Sequence, residues 1–181
     1  EEEELRVPSL DDVEPGPEIV LNEEQQRAFE EILGRVQAAK PSVTLLHGVT
    51  GSGKTQVYLR LVQETLALGK TAMVLVPQMM RKFSSYFGSR VAMLHSSLKM
   101  TERYDQWKRI RRGEVDVVLG TRSALFAPLK NLGLIIMDEE QEGSYQSENV
   151  PRYDAREVAK YLCVREKAAL VFGSATPTVE T

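Results

Sequence analysis

"VTLLHGVTGSGKT", residues 43–55, decides the fold. Five residues of strand character, 43–47, run into Gly48, and the eight residues from Gly48 to Thr55 satisfy G-x-x-x-x-G-K-[ST] just ahead of a helical stretch. Glycines at 48, 51 and 53 let the backbone curl so that successive N–H groups point inward and cradle phosphate oxygens. The helix that follows adds the positive end of its dipole. In such a loop Lys54 brings a point charge to the β- and γ-phosphates, and Thr55 offers a hydroxyl to Mg²⁺. Gly48, Val49, Thr50, Gly51, Ser52, Gly53, Lys54 and Thr55 are therefore the expected ATP-binding loop. A glycine-rich turn with a chance lysine is the bland alternative, and the strand-before, helix-after context argues against it.

Outward from this loop the chain alternates. Apolar strands are expected at 43–47, 71–76, 91–94, 116–119, 134–137 and 169–172, with amphipathic helices at about 54–68, 79–87, 101–112 and 154–164 between most of them. Gly69 and Gly113 fall where a left-handed helix cap wants glycine. Upstream, "LNEEQQRAFEEI" opens a further helix: Asn22 suits the N-cap, Gln25 the capping-box position, and Ala28, Phe29, Ile32, Leu33 and Val36 recur at helical spacing. Strands without polar alternation, interleaved with helices, predict an α/β fold. Its sheet is mostly parallel, of six or more strands, with helices on both faces and its chemistry at the strands' C-terminal edge.

The second informative stretch is "LGLIIMDEEQ", residues 132–141, where an apolar strand ends in three carboxylates. Asp138, Glu139 and Glu140 would repel one another unless a cation faces them. P-loop enzymes hold Mg²⁺ between the loop's Ser/Thr and an Asp ending a neighbouring strand, which makes Thr55 and Asp138 the expected metal pair. Glu139 is then placed to orient or deprotonate the water attacking the γ-phosphate, so Lys54, Asp138 and Glu139 are the expected catalytic residues. Glu140 points elsewhere. Paired carboxylates for glycoside hydrolysis would need a separation that adjacent residues at a strand end do not give.

Composition sets outer bounds. With 181 residues, 42% hydrophobic and 27% charged, the chain suits one soluble domain. Its apolar runs reach about six residues, far short of the ~20 that cross a bilayer. No basic-then-apolar leader stands at the N-terminus, and a single Cys163 excludes a disulfide framework or a cysteine zinc site. The expectation is a cytoplasmic protein with no membrane partner and no zinc in this chain, and with Cys163 packing a helix. Charge is unevenly spread: residues 1–24 hold ten acids against Arg6, net −9, whereas the other 157 residues hold 22 bases and 16 acids, net +6. Residues 1–20 are expected to be an acidic tail or linker, and residues 21–181 the folded domain. Lys99, Arg103, Lys108, Arg109, Arg111 and Arg112 form a basic cluster that suits either a polyanion or a solvated helix face.

Six segments, "GVTGSGKT", "LHSSLKMTERYDQW", "GTRSALFAP", "LGLIIMDEEQ", "PRYDARE" and "GSATP", occur in the order seen in the primosomal protein N′ (PriA) family. These are DEAH-like replication-restart DNA helicases of superfamily 2. The resemblance covers residues 21–181 and implies the first RecA-like lobe of an ATP-dependent helicase that moves on single-stranded and forked DNA. In the full-length protein it implies primosome and single-strand-binding partners. It implies further that Gln25 reads adenine, with helix capping equally open from the residues alone. Gln141, Ser174 and Thr176 would couple the ATP site to DNA movement, Ser174 and Thr176 as part of the "GSAT" stretch Gly173, Ser174, Ala175 and Thr176. Thr121, Arg122 and Ser123 would hold a DNA backbone without reading sequence. Tyr145 and Tyr153 would stack on bases and Arg152 would pair with phosphate or with the acidic strand end, the alternative being tyrosines that cover a core edge. His95 and Ser96 resemble a further family segment, although a lone histidine is more often structural.

This chain departs from the family twice. Gln141 stands where the family has His, and glutamine donates and accepts hydrogen bonds without titrating. Pro77 leads directly to Gln78 where relatives carry several more residues, either a true deletion or a loop left out of this sequence, so no DNA contact is expected at 77–80. Other readings of the residues are a related double-stranded DNA translocase, a regulatory nucleotide-binding module and a small-molecule phosphotransferase. Glu139 and the "GSAT" segment argue against a passive module. A phosphotransferase would want a lid after the loop's helix rather than "GTRSALFAP". Without a second lobe, the chain is expected to bind nucleotide but hydrolyse it slowly.

Overall fold

The structure, a computed structural model, describes residues 19–47, 53–75, 80–95, 97–138 and 154–174. In chain order the elements are α1 (Glu23–Ala38), β1 (Ser42–His47), α2 (Lys54–Ala67), β2 (Thr71–Leu75), α3 (Met80–Phe87), β3 (Val91–Leu94), α4 (Met100–Arg111), β4 (Val117–Gly120), β5 (Leu132–Asp138), α5 (Ala155–Glu166) and β6 (Ala169–Ser174). Short 3₁₀ turns span Gly88–Arg90 and Arg122–Phe126.

The six strands form one sheet in the order β1-β6-β5-β2-β4-β3, and every pairing is parallel. This is the doubly covered α/β sheet expected from the sequence. Its central strand β5 is buried at all seven positions, which explains why "LGLIIMD" lacks polar alternation. On one face Val74, Val117, Ile136 and Val171 pack against Phe29, Ile32 and Val36 of α1, Val57, Leu61 and Val62 of α2, and Phe83 of α3. On the other, Met73, Val118, Ile135 and Leu170 meet Ile110 of α4, Ala155, Ala159 and Leu162 of α5, and Ala124 and Leu125 of the second 3₁₀ turn.

Local signals set the element ends. Asn22 Oδ1 accepts from the Gln25 N–H at 2.8 Å and Gln25 Oε1 accepts from the Asn22 N–H at 2.8 Å, closing the capping box on α1. Gly69 and Gly113 adopt φ of 76° and 71° just past α2 and α4, the left-handed conformation that ends a helix at little cost for glycine. Asp154 caps α5 by accepting from the Arg156 N–H. Desolvation pushes the Asp154 carboxyl up, but the Arg156 side-chain and backbone hydrogen bonds and charge outweigh it and hold it below the usual carboxylate range. Cys163 packs α5 against β1: its thiol is buried, its Sγ lies 3.3 Å from the Ser42 carbonyl, and burial pushes its pKa up. Among the described residues, no helix is long and apolar enough to cross a membrane.

Candidate nucleotide site

The parallel sheet brings the two sequence signals together at its C-terminal edge. β1 ends at His47 and α2 begins at Lys54, so the loop 48–53 lies between a strand end and a helix N-terminus. Gly53, the last residue of that loop and the only one described, adopts φ 81°. β6 runs between β1 and β5, with Gly173 in register with both Leu46 and Asp138. Across this gap Lys54 Nζ sits 3.2 Å from Asp138 Oδ1, an ion pair whose side chains are only 11% and 6% exposed. The loop's own lysine thus faces the last described carboxylate of β5.

A second donor reaches the same carboxylate oxygen. Tyr58 lies one turn along α2 from Lys54, on the same helix face, and its fully buried hydroxyl donates to Asp138 Oδ1 at 2.8 Å. Gln25 links α1 to the loop: its Nε2 donates to the Gly53 carbonyl at 3.2 Å while its Oε1 closes the capping box. The capping reading of Gln25 thus corresponds to a real contact, and the same side chain also touches the last residue of the loop 48–53. Thr55 is the second residue of α2 and half-buried.

The other expected residues are more dispersed. Thr121, Arg122 and Ser123 leave the end of β4 and enter the 3₁₀ turn, on the same sheet edge as Asp138 but separated from β5 by β2. His95 has a local role: its Nδ1 accepts from the Ser97 N–H at 3.3 Å, and its carbonyl accepts from Arg103 at 3.4 Å. The basic cluster on α4 is smaller than the sequence implies. Arg109 turns inward, donating to the Ser89 carbonyl at 3.0 Å and the Val91 carbonyl at 3.3 Å, with its pKa lowered by desolvation. Arg111 and Arg112 stay exposed. Gly48, Val49, Thr50, Gly51, Ser52, Ser96, Glu139, Gln141, Tyr145, Arg152, Tyr153 and Thr176 lie outside the described residues, and of Ser174 only the backbone, at the end of β6, is described.

Residues 22–181 match the DEAD/DEAH box helicase family. The chain belongs to that family. The replication restart protein PriA of Bacillus subtilis (strain 168) is 50% identical over 167 residues, which are 89% of this chain and 21% of that protein. PriA of Treponema pallidum (strain Nichols) is 48% identical over 166 residues, 88% of this chain and 25% of its own length. The chain thus spans roughly a fifth to a quarter of the curated relatives it matches. Among solved structures, RecG bound to a three-way DNA junction superposes with a TM-score of 0.65 at 27% identity, over 90% of this chain and 22% of RecG. The Type ISP restriction-modification enzyme LlaBIII shares the fold, at a TM-score of 0.55 and 16% identity, over 91% of this chain and 13% of that one.

For a DEAD/DEAH box helicase, use of ATP and Mg²⁺ is general, and the residues here fit both. A carboxylate and a hydroxyl are the hard oxygen ligands Mg²⁺ takes, while an ammonium and a helix N-terminus suit phosphate. Sequence reasoning found Lys54 and Asp138 through their patterns but missed Tyr58. The available signal was its place four residues after Lys54, which puts its hydroxyl on the helix face that leads to the loop.

Proposed function

We propose that this chain is the ATP-binding, RecA-like lobe of an ATP-dependent DNA helicase that acts in replication restart. In this reading residues 21–181 form the lobe and residues 1–20 an acidic linker within a larger cytoplasmic protein. The observation that carries it is the buried contact of Lys54 with Asp138 across three parallel strand ends, since it unites a phosphate-directed cation with a metal-directed carboxylate. Mg²⁺ and ATP, when bound, supply the phosphoryl chemistry. Lys54 and the helix N-terminus bind phosphate, Thr55 and Asp138 hold the metal, and Glu139 orients the attacking water. Gln141, Ser174 and Thr176 transmit the state of the site. Thr121, Arg122, Ser123, Tyr145, Arg152 and Tyr153 contact single-stranded and forked DNA. Primosome and single-strand-binding proteins are partners of the longer protein. Kinship with replication restart proteins and with a junction-bound RecG supports the DNA side of this reading.

Titrating labelled single-stranded DNA with and without a non-hydrolysable ATP analogue and Mg²⁺ tests it, because only a motor lobe couples the two affinities. The expected change in DNA affinity is about fivefold or more, the lower end of ordinary coupling. Identical affinities in both arms would sink the motor reading. Turnover of the chain alone should stay far below the ~10 s⁻¹ typical of enzymes, because an arginine finger from a second lobe is worth ~10³–10⁵ in rate. Brisk DNA-stimulated hydrolysis by these 181 residues would contradict the two-lobe requirement.

Gln25→Glu separates the two roles of that side chain. Glutamate at this position keeps the capping box, so the melting temperature should hold within about 2 °C, whereas the amide donor to Gly53 is lost. ATP affinity and preference over GTP should each fall about tenfold, the size of one good hydrogen bond. An unchanged preference would remove Gln25 from base recognition and leave it as a cap.

A further inference from the structure

Tyr58 carries a polar group into a place where none is needed for packing. Its ring is fully buried in the core cluster that joins α1, α2 and the sheet, and a phenylalanine would fill the same volume. Yet its hydroxyl reaches the carboxylate that ends β5, 2.8 Å from Oδ1, as a charge-assisted hydrogen bond in a buried setting. A third strand makes room for the contact. A Cβ on Gly173 of β6 would lie 1.7 Å from the Tyr58 hydroxyl and 2.3 Å from Asp138 Oδ1, so glycine is required there by close approach. Helix α2, β5 and β6 therefore converge on one hydrogen bond.

Lys54 and Tyr58 address the same oxygen but differ in what they are free to do. The lysine is a flexible four-carbon stem whose ammonium is required at the phosphates when nucleotide binds. Tyr58 has two side-chain torsions and a ring locked by packing, so its hydroxyl cannot follow. We propose that Tyr58 is a positioning residue, which keeps the Asp138 carboxylate oriented for the metal when Lys54 exchanges it for phosphate. The lysine contact is the exchangeable one and the tyrosine contact the permanent one. Being neutral, the phenol orients the carboxylate without cancelling the charge a metal requires. This proposal rests on the nucleotide-site reading above and adds to it a residue outside both sequence patterns.

Tyr58→Phe in the 181-residue chain tests it, since the ring and its packing are kept. The probe is a fluorescent non-hydrolysable ATP analogue, titrated with Mg²⁺ and, separately, in EDTA, with thermal melting of the free protein alongside. The expected result is an about tenfold rise in the Mg²⁺ concentration at half-saturation, with metal-free affinity within about twofold of wild type. Gly173→Ala, whose Cβ would press on both the Tyr58 hydroxyl and Asp138 Oδ1, should raise the Mg²⁺ midpoint at least as far and also lower the melting temperature. An unchanged Mg²⁺ midpoint in Tyr58→Phe overturns the proposal. Equal losses with and without Mg²⁺, accompanied by a lower melting temperature, overturn it too and make the hydroxyl merely structural. If wild type takes up no analogue at any Mg²⁺ concentration, the nucleotide-site reading itself has failed, and this proposal goes with it.

Discussion

Lys54→Ala abolishes detectable Mg²⁺-nucleotide binding and also lowers the melting temperature of the nucleotide-free chain by roughly 6–12 °C. The first effect follows from losing a cation whose charge-assisted contacts to phosphate are worth on the order of 100-fold in affinity. The second follows from where the lysine rests without nucleotide. It forms an ion pair with Asp138 in which both side chains are close to fully buried, and removing one member leaves a desolvated charge behind. Breaking such pairs costs about 3–5 kcal/mol, and the lower end applies here because Tyr58 still donates to Asp138. Calorimetric melting with and without Mg²⁺ and the analogue reads both effects. Wild type should be stabilised by ligand in proportion to the logarithm of its concentration, and the variant should not respond. The double variant Lys54→Met with Asp138→Leu removes both charges at similar volume. It should regain part of the lost stability, less the cost of leaving the buried Tyr58 hydroxyl without its Asp138 acceptor, while remaining unable to bind. If Lys54→Ala melts like wild type, the buried pair contributes nothing and the electrostatic account of this site is wrong.

How much of this was legible beforehand depended on the length scale of the signal. Among the described residues, the five helices and six strands follow from periodicity because both faces of the sheet are covered, so apolar runs mark strands and Gly69 and Gly113 mark helix ends. Strand ends were less readable. The apolar run 134–137 suggests a short β5, yet the ladder extends from Leu132, paired with Thr71, to Asp138, paired with Gly173. Asp138 looks like a boundary by composition, but backbone pairing is indifferent to it, whereas the β2–β5 register skips Gly133 at an irregularity between Thr71 and Ala72. The 3₁₀ turn Arg122–Phe126 has too few residues to show a helical period.

Within the site, Lys54 and Asp138 were legible because one closes a glycine-rich strand-to-helix loop and the other ends an apolar strand, the placements expected of phosphate and metal chemistry. Tyr58 was not, since "VYL" in an amphipathic helix reads as core and only coordinates reveal what its hydroxyl meets. Arg109 shows the opposite failure. Sequence proximity grouped it with the exposed basic residues of α4, whereas its position on the helix turns it toward the carbonyls of Ser89 and Val91. Gly173 stood within a recognised segment, but its physical role, clearing space for the Tyr58–Asp138 contact, depends on which strands flank β6.

Gly120→Ala carries the other large effect, and it tests the frame of the expected DNA contact. A Cβ at this position would lie 1.9 Å from the Leu94 carbonyl oxygen and 2.9 Å from its carbon, both backbone atoms that cannot rotate aside. Leu94 and Gly120 are register partners in the β3–β4 pairing, and the same Leu94 oxygen accepts from the Thr121 N–H at 3.1 Å. Relief therefore requires β3 and β4 to separate at their ends, which breaks that hydrogen bond and shifts the turn holding Thr121, Arg122 and Ser123. Overpacking of this kind costs about 1–3 kcal/mol, and an added lost backbone hydrogen bond places the variant at the upper end, a fall of roughly 6–12 °C in melting temperature. Single-stranded DNA affinity should fall with it, while Mg²⁺-nucleotide affinity, set on the far side of β2, should stay within about threefold. Gly34→Ala is the matched control. It lies within α1 with nothing inside 4 Å of its added methyl, and so should stabilise the chain by about 0.5–1 kcal/mol. If Gly120→Ala were as benign as that control, the tight junction of β3 with β4 would be wrong, and with it the placement of Thr121–Ser123 on the nucleotide edge of the sheet.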